Sequence, residues 1–298
     1  MKKYISIVLI IAISLLVGCA NDNTTKKDTD GKLVVYTSFY PQYYLAKEIG
    51  KDKIDIHSIV PNGVEPHDFE PSMKQIKEVQ NANIVVYNGA DMEHWIDKLL
   101  ETIDKKEVDI INSSEFVELV KLEGRPDPHI WLDPLNMDKI GLEIKNSLVK
   151  MDEKNQEFYE KNYAELSSKL QKLNEEYEAV LKDKKRDTIL VSHSAFTYIT
   201  EKYDIEQISV TGISPEEEPS PKVISELIDI AKTKELEYIF LETLASPKTA
   251  DIIAEEAKLE VLTLNPLEGL TKKEENNGED YISIMEKNLE NLKKALVD

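Results

Sequence analysis

The sequence predicts an α/β protein of two lobes, each a mostly parallel four-stranded sheet flanked by helices, bridged by one long rigid α-helix. Three observations lead there. Short β-branched and apolar runs alternate with helical patterns before residue 112 and again after residue 188, and such alternation implies parallel strands joined by right-handed crossovers. Between the two series, residues 155–183 contain neither glycine nor proline. The length of 298 residues suits two medium domains.

In order, residues 33–36, 54–60, 84–87 and 108–111 read as the strands of the first lobe, with helices at 40–49, 72–81 and 92–103. Within 155–183, Tyr159, Tyr163, Leu166, Leu170, Leu173, Tyr177 and Val180 recur at steps of four and three, a helical apolar stripe. Over barely four heptads it reads as packing along the chain's own lobes rather than as a coiled-coil seam. The alternation resumes with strands at 188–191, 205–210, 238–241 and 261–264, and helices at 194–203, 222–232, 249–257 and 281–296. The expected organisation is a signal peptide at 1–18, a tether at 19–32, a first lobe at 33–152, a linking helix at 153–184 and a second lobe at 185–298.

Hydrophobic residues make up 41% of the chain and charged residues 32%, the balance of a soluble domain with a real core. The formal charge of −20 argues against nucleic acid or anionic lipid as a partner. The N-terminus is different. Lys2 and Lys3 precede a mostly apolar run at 5–17 that is too short for an ordinary membrane span and reads as a secretory signal. The run closes on Leu16-Val17-Gly18-Cys19, which holds the only cysteine. That tetrapeptide resembles the lipobox of bacterial lipoproteins, and the resemblance implies a diacylglyceryl anchor at Cys19 and a body working outside the cytoplasmic membrane.

Three of the five histidines share a context. His67 lies in Gly63-Val64-Glu65-Pro66-His67-Asp68-Phe69-Glu70-Pro71, after the second strand. His129 lies in Asp127-Pro128-His129-Ile130-Trp131-Leu132-Asp133-Pro134, after the fourth. His193 ends the first strand of the second lobe. Ligand sites of open parallel sheets lie at the carboxyl ends of their strands. Glu268, in the loop after the last strand, fits the same rule. Three imidazoles and a carboxylate suit four-coordinate Zn²⁺, whereas Mg²⁺ and Ca²⁺ prefer oxygen shells. His57 alternates with apolar residues in a strand and is expected to face solvent, and His94 is expected on a charged helix surface. A ligating imidazole usually gives its second N–H to a carboxylate or carbonyl, and Glu65, Asp68, Asp133 and Glu242 are near the right loops.

These motifs, with Ser192 to Phe196, Gly212 to Pro221 and Asn265 to Thr271, resemble the zinc-binding lipoproteins that feed ABC importers, the ZnuA- and AdcA-like members of solute-binding family 9. The resemblance implies a lipid-anchored monomeric receptor on the extracytoplasmic side of the cell membrane, with metal in the cleft between two lobes. It implies His67, His129, His193 and Glu268 as ligands and an ABC permease as partner. Manganese-binding relatives commonly carry Glu at the third position, so His193 favours zinc over Mn²⁺. The chain lacks the long His-rich loop of many zinc members, since 112–128 is short and has no histidine.

A manganese receptor of the same family is the nearest alternative. A zinc hydrolase is another, with water completing a three-histidine site, but no His-Glu-x-x-His motif or separate general base is present. A surface adhesin is a third, and no face in the sequence marks one. The reading of a non-enzymatic receptor makes two further expectations. His129→Ala should spare the fold, because its loop carries little core. Zinc binding should weaken below about pH 6 as imidazoles gain protons. Glu216, Glu217 and Glu218 form either a solvated rim or a contact to the permease.

Overall fold

The computed structural model describes residues 31–298 apart from Glu123, residues 216–218 and Ala245. The signal at 1–18, Cys19, most of the tether and the acidic triplet therefore lie outside the described residues.

The first lobe is built on β1 (Leu33–Thr37), β2 (Ile54–Ser58), β3 (Ile84–Tyr87) and β4 (Asp109–Asn112), in the spatial order β2-β1-β3-β4. The second uses β7 (Thr188–Val191), β8 (Glu206–Ser209), β9 (Tyr238–Leu241) and β10 (Glu260–Thr263), in the order β10-β9-β7-β8. Every pairing within these two sheets is parallel. Both lobes thus have the same topology, although the sequence shows no repeat. The strand order reverses between β1 and β3 and between β7 and β9, and such switch points open a crevice at the carboxyl edge of a parallel sheet. The inner strands carry the continuous apolar runs that burial on two faces requires: Ile84, Val85 and Val86 in β3, and Ile189, Leu190 and Val191 in β7.

Helix α1 (Tyr40–Gly50) follows β1, and the short α2 (Met73–Val79) and α3 (Ile96–Leu100) follow β2 and β3. A two-stranded hairpin, β5 (Lys121–Leu122) with β6 (Arg125–Pro126), precedes the His129 loop. The sequence reading places no element at 134–151. The structure has an 18-residue helix there, α4 (Pro134–Met151). Its signal was present, because buried Met137, Ile140, Ile144 and Leu148 recur at helical spacing. Gly141 interrupts the stripe where α4 runs close to α1, and a Cβ there would rest 3.6 Å from Leu45.

The long helix α5 (Gln156–Leu181) has 26 residues, so it is about 39 Å long. Its predicted stripe is turned inward: Tyr159, Leu166, Leu170, Leu173 and Tyr177 are buried, and Tyr163 and Val180 pack against the core. Near its start, Asn162 Nδ2 donates to the Ile49 carbonyl at 2.9 Å, and near its end the Tyr177 hydroxyl donates to the Met285 carbonyl at 2.8 Å. Ile49 lies in the last turn of α1, and Met285 lies in α10 (Tyr281–Leu296), the final helix. The bridge is therefore pinned to both lobes. One hydrophobic core runs through it from β1 and β3 to Ile189, Phe240 and Leu292, while a smaller core lies under α7 (Pro221–Thr233) and α8 (Lys248–Ala257). Helices α6 (Thr197–Lys202) and α9 (Lys272–Asn276) complete the second lobe. Among the described residues no helix is long and apolar enough to cross a membrane.

Candidate metal centre

The carboxyl ends of the two sheets face each other, and four side chains converge between them. The loop after β2 delivers His67. Gly63 takes φ +76° there, a left-handed turn that glycine adopts without strain, and the His67 amide donates to Glu65 Oε1 at 3.0 Å. The segment after the hairpin delivers His129. Asp127 Oδ1 accepts from both the His129 amide at 2.9 Å and its Nδ1 at 2.7 Å, so one carboxylate oxygen sets backbone and ring together. His193 follows β7, and its Nδ1 stands 2.8 Å from Glu242 Oε2 at the end of β9. Glu242 Oε1 in turn accepts from the Ser192 hydroxyl at 2.7 Å.

Glu268 comes from the loop after β10. The preceding Leu267 is fully buried with φ +58°, a conformation costing a branched residue about 1–2 kcal/mol. It is held there because its amide donates to Asn265 Oδ1 at 2.8 Å, while Asn265 exchanges two backbone bonds of 2.8 Å with the Asn288 side chain.

His129 Nδ1 is held by Asp127 and His193 Nδ1 lies beside Glu242, so the Nε2 atom of each ring is the one turned toward Glu268, free to bind a metal once its proton is lost. His129 Nε2 stands 3.3 Å from Nε2 of both His67 and His193. Glu268 Oε1 lies 3.3 Å from His67 Nε2, and 3.5 Å from Nε2 of both His129 and His193. Four ligands placed ~2.0–2.1 Å from a zinc ion at the corners of a tetrahedron lie about 3.3–3.4 Å apart. Five of the six donor–donor separations are close to the edge of such a tetrahedron, and all four atoms lie within 4.8 Å of one another. Both Glu268 oxygens are buried without a hydrogen-bond donor, a costly state for an anion unless a cation completes it.

Electrostatics mark the same spot. Burial works to raise Glu268, but the three imidazoles outweigh it and hold the carboxyl well below its usual range. Burial disfavours a charged His193, yet Glu242 and then Glu268 push it up to about 10. His129 is likewise raised, because Asp127 outweighs burial, whereas His67 is lowered by its burial. Burial, and then repulsion from Glu268, push Glu65 up to about 9.

The structure brings together all four residues predicted as ligands and places the remaining candidates variously. Glu242 meets His193. Glu65 touches the His67 backbone. Asp68 is exposed at the rim of a cleft of about 940 Å³ that opens onto His67 between the lobes. Asp133 is directed elsewhere: it caps α4 through the Leu135 amide at 3.0 Å and takes the Lys202 ammonium at 3.0 Å. His94 is exposed on that cleft, in a turn ahead of α3 rather than on the helix. His57, expected to face solvent, has only about a third of its side chain exposed, stacking on Tyr36 and pairing with Asp55 at 3.1 Å. Asp127 escaped the sequence reading, although an acid two residues before a candidate ligand histidine was a visible signal.

The His129 segment is also sewn to the second lobe. Trp131 Nε1 donates to the Pro266 carbonyl at 2.7 Å, the Tyr281 hydroxyl to the Trp131 carbonyl at 2.6 Å, and the Tyr198 hydroxyl to the Asp127 carbonyl at 3.0 Å. Ile130, Trp131 and Leu132 are all 0% exposed, which corrects the expectation that this loop carries little core.

Comparison with known proteins agrees with this geometry. The profile of the ZnuA family, zinc-uptake complex component A, periplasmic, matches residues 35–295. The high-affinity zinc uptake system protein ZnuA of Bacillus subtilis (strain 168) is 36% identical over 316 residues, covering 99% of this chain and 98% of that protein. The zinc-binding lipoprotein AdcA of Streptococcus pneumoniae R6 is also 36% identical, over 310 residues and 99% of this chain, but the chain spans only 61% of its length. The crystal structure of the Zn(II)-bound ZnuA-like domain of that species' AdcA superposes with a TM-score of 0.81 at 37% identity, covering 90% of this chain and all of that domain. With the profile matched across nearly the whole folded body and a relative above one-third identity covered over nearly its full length, the chain belongs to the ZnuA family of zinc-uptake components.

Proposed function

We propose that the protein is an extracytoplasmic, lipid-anchored solute-binding receptor that captures Zn²⁺ through His67, His129, His193 and Glu268 and passes it to an ABC permease. The observation carrying this is the set of five donor–donor separations between 3.3 and 3.5 Å, which fit a four-coordinate zinc ion. Three nitrogens and one oxygen favour zinc over manganese, which prefers oxygen-rich octahedral shells. Four protein ligands fill the shell and leave no position for a catalytic water, the arrangement of a carrier rather than a hydrolase. The names of its relatives, zinc uptake protein and zinc-binding lipoprotein, point the same way.

Within this reading the chain divides at 33–152, 153–184 and 185–298, Cys19 carries the diacylglyceryl group, and the protein works as a monomer. Glu65 and Glu242 support His67 and His193. Elemental analysis of protein purified without added metal should find about one zinc per chain, and manganese in large excess should fail to displace it. Equal competition by manganese would sink the metal assignment.

A further inference from the structure

The chain leaves β3 through Asn88-Gly89-Ala90-Asp91-Met92-Glu93, a segment that supplies no metal ligand. Asn88 is 0% and Glu93 4% exposed, two polar side chains inside the first lobe's core. Glu93 accepts the Asn88 amide at 2.7 Å on one oxygen and the Gly89 amide at 3.0 Å on the other. The turn they close is strained. Gly89, Ala90 and Asp91 have φ of 77°, 52° and 63°, a run that residues with a Cβ avoid and that persists only where the surroundings over-determine it. A Cβ at position 89 would fall 2.0 Å from Asn112 Oδ1, so any side chain there would have to displace Asn112 as well as adopt a left-handed φ.

What this construction holds still is the Asn88 side chain. Its Nδ2 donates to the Pro128 carbonyl at 2.8 Å and to the Gly89 carbonyl at 3.1 Å. Carbonyls only accept, so the NH₂ end of the amide must lie on that side. The Oδ1 end then faces Gln42 Nε2, which donates to it at 3.0 Å. Pro128 immediately precedes His129, so the peptide plane whose oxygen Asn88 grips is the plane whose N–H belongs to His129.

We propose that Asn88 is a positioning residue for His129: its amide, aimed by Gln42 and anchored through Glu93, fixes the Pro128–His129 peptide plane and so aims the imidazole at the metal. The inference rests on His129 being a ligand, as proposed above. Asp127 holds the far side of the ring, and Trp131 and Tyr198 tie the segment to the second lobe. Asn88 is the hold from the carboxyl edge of the first lobe's sheet, beside the bond of Asn136 Nδ2 to the Ile130 carbonyl at 3.1 Å.

The test is Asn88→Leu, which keeps the volume and removes the donor. Zinc affinity should fall about 10- to 100-fold, the usual loss when a ligand's supporting partner is removed. The absorption spectrum of the Co²⁺-substituted protein, which reports ligand geometry, should shift. A core control remote from the site, Leu99→Ala, should lower the melting temperature of the metal-free protein while leaving affinity and Co²⁺ spectrum as they were. An Asn88→Leu protein with zinc affinity within about twofold of the parent and an unchanged Co²⁺ spectrum overturns the proposal. If Asn88→Leu does not fold, Gln42→Leu carries the test. Releasing the amide should weaken zinc binding, and unchanged binding overturns the proposal. His129→Ala, measured in parallel, separates the two readings. If it binds zinc normally, the ligand assignment itself fails. If it loses zinc while the Asn88 and Gln42 variants do not, only the positioning role fails.

Discussion

His67 and His129 both come from the first lobe, and both sit between prolines and acids, yet the molecule holds them differently. The His67 loop is exposed from residue 61 to 64, and the ring itself is 7% exposed. Its acid, Glu65, holds the His67 backbone N–H and lies beside Glu268 rather than taking the ring of His67. His129 is fully buried, its acid reaches both backbone and ring, and its neighbours Trp131 and Asp127 bond across to the second lobe. His129 is thus part of a packed unit with the second-lobe ligands, and His67 is the arm nearest solvent. Likeness of motif did not bring likeness of support, because support comes from what the rest of the chain packs around each loop.

The largest effects should separate these two arms. Apparent zinc binding energies of structural sites run to roughly 10–16 kcal/mol, so removing one ligand of four should weaken binding roughly 100- to 1,000-fold in either His67→Ala or His129→Ala. The metal-free proteins should differ. His129→Ala strands the buried Asp127 carboxylate, and breaking such a pair costs about 3–5 kcal/mol, whereas His67→Ala should leave the urea midpoint much closer to the parent. Equal midpoints would remove the distinction.

Asp127→Asn comes next. It keeps the shape but loses the charge behind His129, and zinc affinity should fall about 10- to 100-fold in a chelator competition. A smaller contrast lies in the protons. In the metal-free protein His193 is pushed up to about 10 from 6.5, so it is charged at neutral pH, and His129 is raised in the same sense. Zinc must displace these protons. Affinity should therefore rise about tenfold per pH unit per proton between about pH 7 and 9, higher than the pH 6 expected from free imidazoles. The stability that His193 lends the metal-free fold is full below 6.5 and is lost as pH rises through about 10. His67, lowered by burial, should release none near neutrality. Calorimetry in buffers of different ionisation enthalpy counts the protons, and a pH-independent affinity would contradict the His193 pairing. Smallest of all should be Glu65→Gln. With its carboxyl pushed up to about 9, Glu65 is already neutral at pH 7, and the amide should change zinc affinity less than about twofold.

The sequence alone determined the alternation of strands and helices, the buried stripe of the long helix, and four candidate ligands at the ends of strands. These follow from local rules: apolar period, Gly and Pro punctuation, and the tendency of parallel sheets to present their carboxyl ends to ligands. Only the tertiary structure decided the rest. It turned Asp133 to a helix cap while Asp127 took the ring of His129, because which acid reaches an imidazole depends on backbone angles at the loop and not on distance along the chain. It made the His129 segment core through Trp131 and Tyr281, which are 150 residues apart. It also set Asn88 against Pro128, 40 residues away. Bonds of that separation have no period or spacing to announce them. They exist because burial strips water from polar groups, and each must then find its partner wherever folding has brought one.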